Sequence, residues 1–518
     1  MMEKPWVVPV NWVWTEIKYI GAVVSGGTPS TKEPSFWGDE VNWISPADLT
    51  GYTCKNISKG AKSITRMGLD SSSAKLMPAG SVHFSSRAPI GYVAISTEPL
   101  STNQGFKSLV PATGVFNDYL YYYFKASKQL AEERATGTTF KEISGTAFGK
   151  LPFPLAPINE QHRIVAKVEE LFSELDKGIE SLKTAREQLK LYRQAVLKHA
   201  FEGKLTAQWR EANKSKLEAA DQLLTRIKKE REARYQQQIE EWKVAVKHWA
   251  AVGSKGKKPP RISKPKLIPS SKGKDQENLP SLWRWTNFCS VTYKIGDIDH
   301  KMPKDSENGY PYVSTGNIQH DGTIDFSNAK IISESDYERL SLKIKPENGD
   351  IIFPRYGTIG RNILVNFNKK FLVSYSCAII KNITSLMNEK YIYYFSLSPE
   401  VKKEIQRYVK ETTQANVGIA SIEKFVFPLC SYREQMKIVE ILESYLSVLD
   451  QQEEQIKESL LKSETLRQSI LKKAFTGQLV PQDPNDEPAS VLLERIKAEK
   501  VRQQPRKKTV KRRRTATA

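Results

Sequence analysis

The chain has 518 residues, four cysteines and a formal net charge of +21. That length divides into three or four ordinary domains with ample apolar cores, so neither disulfides nor a structural metal is needed to hold it. The cysteines (Cys54, Cys289, Cys377, Cys430) stand far apart with no C-x-x-C, which fits a reducing compartment and argues against a zinc site.

The opening, MMEKPWVVPVNWVW, is broken by Lys4, Pro5, Pro9 and Asn11 and lacks the unbroken apolar stretch of a signal peptide. No segment approaches the roughly 18–20 apolar residues that span a bilayer, so a cytoplasmic protein without a membrane partner is expected. Around Val82, Val93 and Ile95, β-branched and aromatic residues alternate with polar ones between Gly and Pro turns. A short helix is predicted over Asp118–Glu133. From Ile164 apolar residues recur in alternating steps of four and three: Ile164, Val168, Leu171, Leu175, Leu182, Leu189 and Val196, with Gly178 a weak position. This 3.5-residue spacing is a coiled-coil seam flanked by charge. Gly203 suits the position just past the helix end. About 45 residues make a rod of roughly 65 Å.

Leu217–Trp249 then reads as a charged amphipathic helix, followed by the linker SKGKKPPRISKPKLIPSSKGK. A second globular part carries strands at Asp350–Phe353 and Asn362–Val365 and a helix over Glu389–Val409. A second stripe, Ile438, Leu442, Tyr445, Leu449, Ile456, Leu466 and Ile470, runs on toward Gly477, interrupted by Gln452, Ser459 and Ser463. The expected segments are a globular part (1–157), a long helix (158–206), a helical insertion with basic linker (207–277), a second globular part (278–430), a second long helix (431–480), and a short helix with a basic tail (481–518).

Eight Lys or Arg and no acid lie between Gly253 and Lys274, and seven and none between Gln503 and Ala518. Together they account for fifteen of the twenty-one excess charges, leaving +6 elsewhere. Such segments supply salt-sensitive phosphate attraction without sequence preference, although a plain solvated linker and tail would have the same composition. Charge alone decides little.

The strongest signal is a repeat with a period of about 270 residues. Val8–Ile17 is echoed by Leu279–Phe288, Ala79–Gly91 by Asn348–Gly360, and Asn117–Phe124 by Asn388–Phe395. LPFPLAPINEQHRIV (Leu151–Val165) matches FVFPLCSYREQMKIV (Phe425–Val439) at an offset of 274, as does AVLKHAFEGKLT (Ala195–Thr206) with SILKKAFTGQLV (Ser469–Val480). Ala219–Arg231 resembles Pro488–Lys500. Six blocks in one order make a tandem duplication, and equivalent stripes predict that the two long helices pack on each other.

Catalytic signatures are absent. No Gly-Lys pair is followed by Ser or Thr, which excludes a Walker A loop. The adjacent prolines are Pro259-Pro260, so the Asn/Asp-Pro-Pro-aromatic motif of amino-methyltransferases is missing. The six histidines (His83, His162, His199, His248, His300, His320) show no ligand spacing, and no G-x-S-x-G elbow occurs. No metal is expected.

Two variable globular parts joined to two better-matched long helices resemble the specificity subunit of type I restriction-modification enzymes. The blocks that carry the resemblance are P-x-x-W-x-W (Pro9/Trp12/Trp14; Pro280/Trp283/Trp285) and G-[SD]-[VI]-x-F with a following arginine (Gly80–Arg87; Gly349–Arg355). F-P-L…EQ-x-x-IV opens each helix and L-K-x-A-F-x-G-x-L closes it. The resemblance spans essentially the whole chain; the basic insertion Gln208–Asn278 and the end Arg506–Arg514 depart from it. It implies an α+β chain with two mixed α/β target-recognition domains, joined by an antiparallel coiled coil in a pseudo-twofold duplication. Each domain would bind half of an interrupted double-stranded DNA site. Two modification subunits would dock on the helix ends and methylate adenine with S-adenosylmethionine. Up to two restriction subunits would bring ATP and Mg-dependent cutting, and the chain itself would be non-catalytic, with no cofactor.

Base edges need Arg, Asn, Gln, Ser or Thr at short reach. The candidates in the first head are Ser85, Ser86, Arg87, Asn103, Gln104 and the loop Thr138, Thr139 and Lys141. In the second they are Ser314, Asn317, Arg355, Tyr356, Ser374, Tyr375 and the loop Thr412, Thr413 and Gln414. Turn or cap roles are the plainer reading of each. Arg87 and Arg355 stand out because each copy of that block holds an arginine. The tyrosine runs Tyr119–Phe124 and Tyr391–Phe395 fit core better than base stacking. Rival readings are an enzyme fused to its own reader, for which no domain-sized segment is left, and a coiled-coil scaffold whose heads bind protein.

Overall fold

A computed structural model describes residues 5–137, 141–253, 258–259, 261–266, 268, 279–319, 321–409 and 416–503. Thr138, Thr139, Thr412, Thr413 and Gln414, much of the basic linker and the basic tail lie outside the described residues. The chain gathers into two compact units, and the division cuts through both long helices. One unit is Met1–Lys183 with Lys457–Ala518, the other Thr184–Ile456.

In the first unit a five-stranded sheet has the order Gly21–Ser25, Phe106–Pro111, Val82–Ser85, Val93–Ser96, Asn56–Ile57, antiparallel except for the last pairing. A three-stranded sheet, Lys62–Ile64, Trp37–Ile44, Leu100–Thr102, lies beside it in sequence. The strands around Val82 and Val93 are buried throughout because both faces are covered. On one face Phe84 meets Phe124 and Phe148 at ring distances of 5.7 and 5.4 Å; on the other Ala94 and Phe106 join Ile44 and Leu100. A ribbon of Val13–Glu16 against Pro152–Leu155 brings the entry and exit of this head together.

The second unit repeats the plan. A four-stranded sheet runs Thr292–Gly296, Cys377–Asn382, Ile351–Pro354, Ile363–Leu364, with a three-stranded sheet Lys330–Ile332, Tyr310–Val313, Leu372–Val373. Its ribbon pairs Arg284–Asn287 with Val426–Leu429.

The long helices are Ile158–Phe201 and Tyr432–Phe475, each 44 residues. The Glu-Gln pair in each first turn explains why that block is the best matched. Trp12 Nε1 donates to Glu160 at 2.8 Å and Trp283 Nε1 to Glu434 at 2.8 Å. Gln161 accepts from Phe116 N–H (2.9 Å) and donates to the Ala156 carbonyl (2.8 Å). Gln435 does the same with Asn388 N–H (3.0 Å) and the Cys430 carbonyl (2.9 Å). One dipeptide thus ties the head's entry, the start of its tyrosine-bearing helix and its exit to the rod.

The tyrosine runs are core. Tyr119 donates to the Pro154 carbonyl at 2.9 Å, and Tyr391 to Pro428 at 2.8 Å. These bonds set the copies 272 residues apart, so the sequence match of Asn117–Phe124 with Asn388–Phe395 is one residue out of step. The helix expected over Asp118–Glu133 is two, Asn117–Ala126 and Lys128–Glu133. That expected over Glu389–Val409 breaks into Glu389–Ser396 and Pro399–Tyr408, the second started by Ser398 and Pro399. The insertion helix is Ala220–Ala251, and nothing beyond Arg231 in it is buried.

Within each unit the rod segments run antiparallel. In the first, Ile164, Val168 and Phe172 share a core with Ile470, Leu471 and Phe475, and Asp176 pairs with Arg467. In the second, Val196 and Phe201 share one with Ile438 and Leu442, and Arg193 pairs with Asp450. Two expected seam positions are corrected: Tyr445 is 43% and Leu466 51% exposed, while Leu446 and Ser463 turn inward. Near the rod ends the helices carry the heads as well as each other. Two adjacent columns are therefore buried (Ile164 with Val165, Val196 with Leu197, Ile438 with Val439, Ile470 with Leu471), a face wider than a heptad seam. In between, Leu171, Leu175, Leu182, Leu189 and Ile456 are half-buried.

Candidate nucleic-acid interface

Several strands of each head stop at one edge of its sheets, and most of the candidate residues lie there. In the first head, Ser25 pairs with Lys107 and Ser85 with Phe106. Asn103 N–H reaches the Ile44 carbonyl at 2.9 Å, and Gly27 N–H that of Thr102 at 2.8 Å. Arg87 bridges to Glu142, which also bridges to Thr136.

The individual roles divide. Ser85 is buried, donating to the Pro89 carbonyl (2.7 Å) and accepting from Tyr92 N–H (2.8 Å), which makes it a turn residue. Ser86 is buried too, and its hydroxyl has no protein partner. Asn103 closes a turn by accepting from Gly105 N–H at 2.8 Å. Gln104 and Lys141 are exposed, and Arg87 is 36% exposed, with its guanidinium 3.6 Å from Glu142. Three neighbours escaped the sequence reading. Thr28 donates to Gln104, and Lys107, almost wholly buried, reaches the Gln104 carbonyl and Glu142, each at 3.2 Å. The signal for Thr28 was the preceding Gly26-Gly27: a Cβ on Gly26 would lie 1.9 Å from the Asn103 carbonyl. Glycine there marks close backbone approach.

In the second head Ser314 and Asn317 form a capping box: Ser314 N–H and hydroxyl both reach Asn317 Oδ1 at 2.9 Å. Ser45 and Asp48 hold the same turn in the first head. Ser374 is buried and bonded to Ser376. Arg355 is buried, 2.8 Å from Asp297 and 2.6 Å from the Tyr375 carbonyl. Lys343 Nζ also pairs with Asp297 at 3.2 Å, and His300 Nε2 lies 3.4 Å from the same carboxylate. Tyr356 and Tyr375 are half-buried, edge to face at 6.3 Å, and Tyr356 bridges to Asn416. Neither Asp297 nor His300 carried a sequence signal, because the contacts that assemble them span 58 and 75 residues.

The two arginines are not equivalents. Ser86 N–H bonds the Gly105 carbonyl and Arg355 N–H that of Ser376; Ile143 N–H bonds Ser86 and Val417 N–H bonds Arg355. Ser86 therefore corresponds to Arg355, and Arg87 to Tyr356. A one-residue step reverses the side of an extended chain, so one arginine faces outward and the other inward.

Burial keeps two titratable side chains behind the edges neutral. Burial pushes the His83 imidazole down to about 3 and the Cys377 thiol up to about 12. Among the described residues no group of His, Cys, Asp and Glu is placed to hold a metal ion, and no helix is long and apolar enough to cross a membrane.

Two heads of one plan, presenting different side chains from the same edge, define a tandem recognition protein. The description "Type I restriction modification DNA specificity domain" matches residues 9–190 and 287–462, most of the chain, and the chain belongs to that family. The specificity subunit of type I restriction enzyme MjaIX from Methanocaldococcus jannaschii is 37% identical over 38% of this chain, which spans 44% of that relative. The EcoKI specificity subunit of Escherichia coli is 23% identical over 95% of this chain and 96% of its own. A chain solved in work on complex assembly and conformational transition of the type I R-M system aligns over 92% of this chain and 100% of itself, with TM-score 0.60 and 17% identity. The HsdS subunit from Thermoanaerobacter tengcongensis gives TM-score 0.50 at 16% identity over the same shares. At those identities the likeness is one of fold.

Proposed function

We propose that the heads, residues 1–157 and 278–430, each read one half of an asymmetric, interrupted double-stranded DNA site, with the two long helices as the spacer. One observation carries this most: the same edge, built from the same strand ends, holds Arg87, Gln104, Thr28 and Lys107 in one head and Tyr356, Tyr375 and Asp297 in the other. Shared architecture with divergent edge chemistry is what reading two different half-sites requires. Rods of 44 residues, roughly 66 Å, suit half-sites one to two helical turns apart, at ~34–36 Å per turn.

On this reading the chain catalyses nothing. Two modification subunits carrying S-adenosylmethionine dock on it to methylate adenine, and up to two restriction subunits supply ATP- and Mg-dependent translocation and cutting. The complex works in the cytoplasm. Of the candidates, Arg87, Gln104, Lys141, Tyr356 and Tyr375, each at least partly exposed, are proposed to contact DNA; Thr138, Thr139, Thr412, Thr413 and Gln414 remain candidates that lie outside the described residues. Ser85, Ser86, Asn103, Ser314, Asn317, Arg355 and Ser374 hold the edge in shape.

The test is methylation mapping in cells that express the chain with a modification subunit. A bipartite motif methylated in both halves is expected, and exchanging residues 1–157 for another head should change one half only. A complex that co-purifies yet leaves no methylation would favour the protein-binding scaffold.

A further inference from the structure

We infer that His300 is a specificity-determining residue of the second head, contacting a base in the half-site that this head reads. The inference rests on the chain's being a DNA specificity subunit.

His300 lies just past strand Thr292–Gly296, at the edge where Tyr356 and Tyr375 also sit. Its ring is stacked on Tyr375, with centroids 4.7 Å apart and planes 17° from parallel. Its Nε2 is 3.4 Å from Asp297 Oδ2, and its side chain is nevertheless 65% exposed. One face is covered by Tyr375 and Nε2 lies beside the Asp297 carboxylate, while most of the side chain is open to solvent. A surface histidine with no ligand has no need of two restraints. A ring that must meet a base edge does, since fixing it beforehand removes the entropy cost of ordering it on binding.

Buried Arg355 supplies the restraint at one remove. Its guanidinium bonds both supports of His300, the Asp297 carboxylate at 2.8 Å and the Tyr375 carbonyl at 2.6 Å. That makes it a positioning residue and accounts for an arginine turned inward at a recognition edge. In its neutral form an imidazole carries one N–H donor and one lone-pair acceptor. The acceptor nitrogen complements the exocyclic amino group of adenine or cytosine in the major groove. The segment after the corresponding strand of the first head, Ser25–Ser30, contains no histidine, so the contact belongs to one half-site only.

The experiment uses the full chain in complex with its modification subunit. Binding is measured to duplexes carrying the mapped site with each base pair replaced in turn. His300→Ala should lose about ten- to hundredfold of the discrimination at one A·T or G·C pair in the second head's half-site. The first half-site and the dependence on salt should stay as in the unaltered complex. His300→Gln, which keeps an acceptor at similar reach, should recover part of the loss, an outcome that a purely structural role would not give. Unchanged discrimination at every pair, or an equal loss at all pairs and on random DNA, would overturn the assignment. If the unaltered complex showed no preference for a bipartite duplex, the specificity reading would fall first and His300 with it.

Discussion

Arg355 and Asp297 form a buried pair, their side chains 6% and 12% exposed, whereas Arg87 and Glu142 are each 36% exposed and 3.6 Å apart. The two arginines look alike in sequence but answer to different physics. Removing one member of a buried pair leaves an uncompensated charge and costs about 3–5 kcal/mol; Lys343, also on Asp297, places this case toward the lower end. An exposed pair contributes about 1 kcal/mol at most. Arg355→Ala should therefore lower the melting temperature of the second unit and, in the protein that stays folded, lose discrimination only at the base pair assigned to His300. Arg87→Ala should leave melting almost unchanged and reduce the ratio of specific to random binding by about 1–3 kcal/mol. Thermal melts run alongside salt-titrated binding separate the two, and the reverse pattern would restore Arg355 as a base contact.

At the scale of elements, what could be read in the sequence was what repeats locally. A 3.5-residue stripe over 44 residues is long enough to outweigh single exceptions, so both long helices and their glycine ends emerge from the chain alone. The strands are two to eight residues long, and their register is fixed by partners far away; Ser85 and Phe106 are 21 residues apart, Pro354 and Cys377 are 23. That is why the candidate edge was found as a neighbourhood but not resolved into outward and inward side chains. Tyr445 and Leu466 were misplaced for a related reason: a pattern reports one seam, whereas the rod ends bury against two neighbours. The glycines test this reading. Gly477 has φ +71°, and a Cβ there would lie 2.2 Å from Pro9 Cγ; Gly178 sits mid-helix with nothing within 4 Å. Gly477→Ala should cost more than the ~1–2 kcal/mol of left-handed backbone alone, because Pro9 must also move. Gly178→Ala should gain about 0.5–1 kcal/mol from helix propensity. Denaturant midpoints of the two variants should shift in opposite directions; equal shifts would mean that the first helix is not continuous through Gly178.

For the whole chain, the consequential feature is that the first unit is discontinuous and the second is not. The core of the first head is completed by Ile470, Leu471 and Phe475 from the second long helix and by Ala489, Leu492, Leu493 and Ile496 from the short helix that follows. Ala489 N–H reaches the Asn11 carbonyl at 2.9 Å, Trp6 Nε1 that of Phe475 at 2.8 Å, and Arg163 pairs with nearly buried Asp486 at 2.7 Å. The second head has the same closure, but from residues that precede it: Val196, Phe201, Ala220, Leu223 and Ile227. Ala220 N–H bonds the Leu282 carbonyl at 3.0 Å, the counterpart of Ala489 with Asn11. Each head is thus closed by the end of the other repeat, and the head synthesised first is completed last. Closing so long a loop costs only slowly more with length, so the arrangement is tolerable in free energy while inverting the usual N-terminal-first order. A chain ending at Val480 loses four buried apolar side chains from the first core, three of them Leu or Ile at about 1.5–3 kcal/mol each, along with the Asp486 pair. Limited proteolysis of that chain should cut within the sheets of the first head and leave those of the second head, Thr292–Gly296 to Cys377–Asn382, resistant. Methylation mapping should lose the half of the motif read by the first head. Equal resistance of both heads would mean that the closing helix contributes little, and the apolar contacts of Leu492 and Ile496 would then be incidental to the fold.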